Sequence, residues 1–199
     1  MVLPSLGSLG VVFPVGGVGV MLLLVAASGL VCALLAVVLR PGLGWVTALS
    51  IAGLVWSLAV IASITLIPAN GAPGVVPAQG RLAGCSWDLG GPAPDGFWIF
   101  AGGQRLLNTV AFVPSGVLLV LAVARWRAAR VLVPVGLVLL AAYSAGIELT
   151  QLELARLDRA CDVTDFVDNV TGAAIGVAIG VVLAMVLRPW RHRRPRGLA

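Results

Sequence analysis

Five long apolar runs constrain this chain most: about 17–39, 45–67, 106–124, 131–151 and 163–187. At about 1.5 Å of rise per residue, each is long enough as a helix to cross roughly 30 Å of hydrocarbon. The chain is 60% hydrophobic and only 11% charged. A protein of this size folded in water has nowhere to hide that much apolar surface. Inside a bilayer every backbone N–H and C=O must find an internal partner, so the runs are expected as helices. The predicted fold is an all-α membrane protein, one domain over residues 1–199, built as a bundle of five transmembrane helices. The first run is read as a span and not a cleavable signal peptide, because it lacks a basic leader and is too long.

Every basic residue is an arginine, and the arginines set the orientation. Arg40 follows the first span. Arg125, Arg127 and Arg130 lie between the third and fourth, and Arg188, Arg191, Arg193, Arg194 and Arg196 follow the fifth. Positive charge is retained on the cytoplasmic side, so these segments are predicted inside and the N-terminus outside. The C-terminus, with the basic tail 188–199, is then cytoplasmic. The outer segments 68–104 and 152–162, with Arg105 just past the first, carry Arg81, Arg105, Arg156 and Arg159, offset by Asp88, Asp95, Glu153 and Asp158. Nucleic-acid binding does not fit arginines placed beside apolar spans.

Residues 1–67 hold the first two spans. Segment 68–104 is rich in Pro and Gly and is expected to have little regular structure. Its "DGFWIF" stretch (95–100) reads as an aromatic interfacial belt, with a lid over an outer site as the alternative.

The stretch "CDVTDFVDNVTGAAIG" (161–176) carries three of the chain's eight acidic residues. At about 100° per residue, Asp162, Asp165, Asp168, Asn169, Gly172, Gly176 and Gly180 fall on one strip about 120° wide. Phe166, Val167, Val170, Ala174, Val177, Ala178 and Val181 form the opposite face, which suits lipid. Gly172, Gly176 and Gly180 make a row that lets a second helix approach closely. The acids therefore point into the bundle.

Two other spans offer polar groups at the same membrane side. Ser144, Glu148 and Gln151 share a face by their i, i+4, i+7 spacing, and Asn108, Ala111 and Ser115 share another. Asn108, Glu148, Gln151, Arg159, Asp162, Asp165 and Asn169 are thus expected to converge near the outer leaflet. Ionisable groups within a membrane are costly and mark function or obligatory pairing. Plainer readings exist: Asp162 as a helix N-cap, Asp165 facing the positive helix end, Glu148 as a structural partner of Arg159. Asn169 lies too far into the helix to be a cap.

Cys85 and Cys161 both fall in outer segments, where an oxidising compartment favours a disulfide between them. Cys32 sits mid-span and reads as packing. The one histidine, His192, lies in the basic tail, which excludes a Ser–His or Cys–His nucleophile outside and any His-based metal site. There is no phosphate-binding glycine loop with its lysine. No metal and no cofactor are expected. Carboxylates binding Ca²⁺ or Mg²⁺ are the minor alternative.

Three blocks in order, "LLNTVAFVPSGVLL" (106–119), "GIELTQ" (146–151) and "RACDVTDFVDNVTGAAIG" (159–176), resemble the VanZ-like family of bacterial membrane proteins. The motif positions are Asn108, Phe112, Pro114 and Gly116, then Ile147, Glu148 and Gln151, then Arg159, Asp162, Asp165, Asn169, Gly172 and Gly176. The resemblance covers about 104–187. Ser115 departs from it, standing where the family often carries a larger apolar residue. The resemblance implies a multi-pass bacterial cell-membrane protein associated with low-level resistance to glycopeptides such as teicoplanin.

Three functions compete at this point. The first is a binding protein whose outer pocket holds a membrane-lipid head group or a lipid-linked cell-wall precursor. The second is an enzyme on a lipid-linked substrate, with Glu148 or Asp165 as acid or base and Arg159 holding a phosphate or carboxylate. The third is a structural envelope protein whose polar groups only hold the bundle.

Overall fold

The computed structural model describes residues 16–67, 84–87, 103–153 and 161–192. Among them the architecture is all-helical: α1 (Val18–Leu66), α2 (Gly103–Val123), α3 (Ala129–Glu153) and α4 (Val163–Leu187), then a 3₁₀ turn, Pro189–His192. All four α-helices are long and apolar enough to cross a membrane. Large apolar side chains such as Leu23, Leu30, Val138, Leu139 and Val186 stay exposed on their outer faces, where lipid would cover them. The chain is a multi-pass membrane protein.

Where the sequence predicts two separate N-terminal spans, one helix assignment runs through both. α1 has 49 residues, about 74 Å of rise, far more than one crossing needs. It is broken at Gly44, whose φ of 75° and ψ of 164° lie where only glycine sits without strain. Pro41 stands just before the break. Beyond it the chain doubles back, so that Trp56 Nε1 donates to the Val25 carbonyl at 3.0 Å. Cys32 and Ala36 from the first half pack on Ala52 from the second.

The main core draws on every helix: Ile61 from α1, Phe112 and Leu119 from α2, Leu140 and Ile147 from α3, Ala173 from α4. α2 and α4 form the most extensive helix pair. Small residues explain that closeness. A Cβ added at Gly172 would strike the Thr109 carbonyl oxygen, one at Gly176 the Val113 carbonyl, and one at Gly116 the Ala173 carbonyl. Without side-chain bulk the two backbones touch, and dispersion holds them where lipid provides no hydrophobic drive. At Gly180 a Cβ would lie 2.9 Å from both the Val117 carbonyl and Val120 Cβ.

The bundle is electrically two-ended. Glu148, Asp162, Asp165 and Asp168 lie where α3 ends and α4 begins, with Arg105 at the start of α2. At the other end Arg125, in the α2–α3 turn, donates to the Gly42 carbonyl beside the break in α1 at 3.3 Å. Arg40 stacks on Trp45 there, and Arg188 caps α4.

Candidate functional site

The acidic end is organised by the start of α4. Asp162 has extended backbone and accepts the Thr164 N–H through Oδ1 at 2.8 Å, so it is the N-cap. Its own N–H donates to Glu148 Oε2 at 3.2 Å. Glu148 is buried, and its negative charge lies at the positive end of the α4 dipole. This joins the end of α3 to the beginning of α4.

The disulfide expected from the sequence is present: Cys85 and Cys161 are bonded, with Cα atoms 4.6 Å apart. Around it Ser86 N–H donates to the Cys161 carbonyl at 2.9 Å, and Val163 N–H donates to the Ser86 carbonyl at 3.1 Å. Residues 84–87 are therefore pinned onto the α4 N-terminus covalently and by a parallel bridge between Ser86 and Asp162.

One turn deeper lies an ion pair. Arg105 Nε donates to Asp168 Oδ2 at 2.9 Å and Nη2 to Oδ1 at 3.0 Å, a bidentate fork linking α2 to α4. The Asp168 side chain is 0% exposed and that of Arg105 12%. Asp162 and Asp165 add to the favourable field at the guanidinium. Beside the pair, Asn169 Nδ2 donates to Ser144 Oγ at 2.9 Å, joining α4 to α3. Gln151 Nε2 reaches the Thr65 carbonyl at 3.1 Å and Tyr143 OH the Leu58 carbonyl at 2.7 Å, joining α3 to α1. Ser115, fully buried, pairs with Ser57 Oγ at 2.9 Å, joining α2 to α1.

The polar residues singled out in the sequence thus divide into several contacts. Glu148 meets Asp162, Asn169 meets Ser144, and Gln151 turns to α1. Asp165 is half-buried in the first turn of α4. Arg159, expected at the centre, lies outside the described residues. Sequence reasoning placed Arg105 in the outer loop and counted its charge as offset. It belongs instead to the first turn of α2 and forms the fork with Asp168. The available signal was its position three residues before Asn108, one helical turn away on the same face.

That face holds a surplus of donors. Arg105 Nη1, Asn108 Nδ2 and Thr109 Oγ1 are all buried without a hydrogen-bond partner. Arg105, Asn108 and Thr109 lie within about one turn of α2, and Arg105 and the Thr109 backbone face α4. A buried polar group left unpaired costs about 1–3 kcal/mol. An oxygen-rich acceptor would relieve all three at once. Among the described residues no three His, Cys, Asp or Glu side chains are grouped to hold a metal ion.

No curated protein and no solved structure gives a significant match to this chain. A family model does, and it begins well upstream of the motifs at 104, inside the second half of α1. That model, VanZ/LLP1, matches residues 49–186, more than half of the chain, and the protein belongs to this family.

Proposed function

We propose that the acidic end of the bundle binds the head group of a membrane lipid or of a lipid-linked cell-wall precursor. One observation carries this reading: Arg105 Nη1, Asn108 Nδ2 and Thr109 Oγ1, within about one turn of α2, are buried and unpartnered. Phosphate, carbonyl and hydroxyl oxygens are the acceptors such a cluster takes. Any contribution to glycopeptide resistance would run through this site, by changing the availability of the bound precursor.

The proposal includes a topology of five crossings, with the N-terminus outside and the C-terminus cytoplasmic. Support comes from the length of α1, its glycine break and the return of Trp56 to Val25. The clustering of Arg40, Arg125 and Arg188 at the end away from the carboxylates supports the orientation.

A second reading is that the polar groups only clamp the helices. It is favoured by how fully Asp168, Asp162, Asn169 and Gln151 are engaged. Native mass spectrometry of the purified full chain separates the two, using wild type, Asn108→Leu and Thr109→Val. Head-group binding predicts at least one more bound lipid on wild type than on either variant. A clamp alone predicts identical spectra, since neither residue's unpartnered atom holds another helix.

A further inference from the structure

The end of the bundle opposite the carboxylates has a chemistry of its own. Segments 40–47, 123–131 and 187–199 contain nine of the chain's thirteen arginines and no Asp or Glu. Arg40, Arg127, Arg130 and Arg188 are exposed. Among the described residues every carboxylate lies at the other end.

These arginines are held at a defined depth. Trp45, Trp126 and Trp190 stand among them, each 39–48% exposed. Tryptophan with one wet and one apolar edge marks the head-group layer of a bilayer. Arg40 lies 4.6 Å over the Trp45 ring, and Arg125 lies 5.6 Å over Trp126. Stacking fixes the plane of the Arg40 guanidinium, which stays exposed. The Arg125 bond to the Gly42 carbonyl ties the α1 break to the α2–α3 turn, and the 3₁₀ turn after α4 packs on α1. The described parts of three basic segments, 40–47, 123–131 and 187–192, are thus linked.

We propose that this surface binds anionic membrane lipids, with Arg40, Arg127, Arg130 and Arg188 taking their phosphate groups. A topology signal alone requires only charge. An arginine stacked on an interfacial tryptophan, beside exposed arginines on neighbouring turns and with no described carboxylate among them, makes a donor set for phosphate oxygens. This surface is independent of the proposed head-group site at the other end.

The test uses the full chain reconstituted in vesicles of equal phosphatidylglycerol and phosphatidylcholine, extracted, and weighed with its retained lipids. Wild type should carry phosphatidylglycerol in excess by on the order of tenfold. The quadruple variant Arg40→Gln, Arg127→Gln, Arg130→Gln, Arg188→Gln should fall to parity. The matching Arg→Lys variant should keep most of the excess, and Asn108→Leu all of it. An intact Cys85–Cys161 disulfide and a single oligomeric species serve as the folding check on the glutamine variant. If that variant does not assemble, salt on wild type decides: raising it from about 0.05 to about 0.5 M should collapse the preference. Absence of a wild-type preference overturns the proposal. So does an excess that survives in the folded glutamine variant, or one insensitive to salt.

Discussion

Arg105 and Asp168 close the α2–α4 seam with a two-pronged ion pair, at 2.9 and 3.0 Å, and the remaining nitrogen of that guanidinium has no partner. The pair is unequal. Asp168 is short and fully buried, whereas Arg105 sits in the first turn of α2 and retains some exposure. A long side chain at a helix end can swing its charge toward the membrane surface, and a buried aspartate cannot.

That inequality gives the first prediction. Arg105→Met should destabilise the protein by about 3–5 kcal/mol, because it strands a buried carboxylate. Asp168→Leu should cost less, and the double variant less than the sum of the two. Reversible unfolding in mixed micelles measures all three. Equal single losses that simply add would show that the pair is not coupled.

Gly176→Ala should destabilise by about 1–3 kcal/mol, since its Cβ would strike the Val113 carbonyl and force the helices apart. Gly146→Ala meets nothing within 4 Å and should be neutral or slightly stabilising. Melting temperatures of the two variants decide it, and similar losses for both would remove the seam from the account.

The Cys85–Cys161 bridge spans a sequence separation of 76 residues. Loop-closure entropy gives an upper limit of about 4.5 kcal/mol for its removal, and inserted helices in the unfolded state lower this. Cys85→Ser should therefore reduce thermal stability, with Cys161→Ser adding little more. Peptide mapping without reductant should recover the linked pair from membranes. Free, alkylatable thiols at both positions would contradict it.

Reporter fusions at residue 128 and after the C-terminus should both read cytoplasmic, while one near Ser86 should read external. The expectation follows from the opposed basic and acidic ends. An external signal at 128 or at the C-terminus would invert the orientation.

The helical class was legible because bilayer solvation leaves long apolar runs little choice. The disulfide was legible because Cys85 and Cys161 both fall between apolar runs, in segments that the arginine placement predicts on the same side. The break in α1 was harder to read: Gly44 needs an unusual backbone, yet glycine is common throughout this chain. The spacing of Gly172, Gly176 and Gly180 shows a packing face but not its partner, which depends on Thr109, Val113 and Gly116 of α2. The Arg105–Asp168 pair was missed for a physical reason. Charge counting assigns each residue to a loop or a span, whereas an arginine at a helix start can reach into the bundle. Thr109 carried no signal, since an unpaired hydroxyl is a property of three-dimensional packing alone.

The most direct test of the head-group site is the melting temperature of wild type and Asn108→Leu, each with and without added native membrane lipid extract. A ligand that binds the folded state at about 100 times its Kd stabilises it by about 2.7 kcal/mol. Lipid should raise the wild-type melting temperature by more than that of Asn108→Leu, which keeps only the basic surface at the other end. Without lipid the variant should be at least as stable as wild type, because it removes a buried donor that had no partner. An equal lipid-induced rise in both proteins, or a variant clearly weakened before any lipid is added, would contradict the binding site.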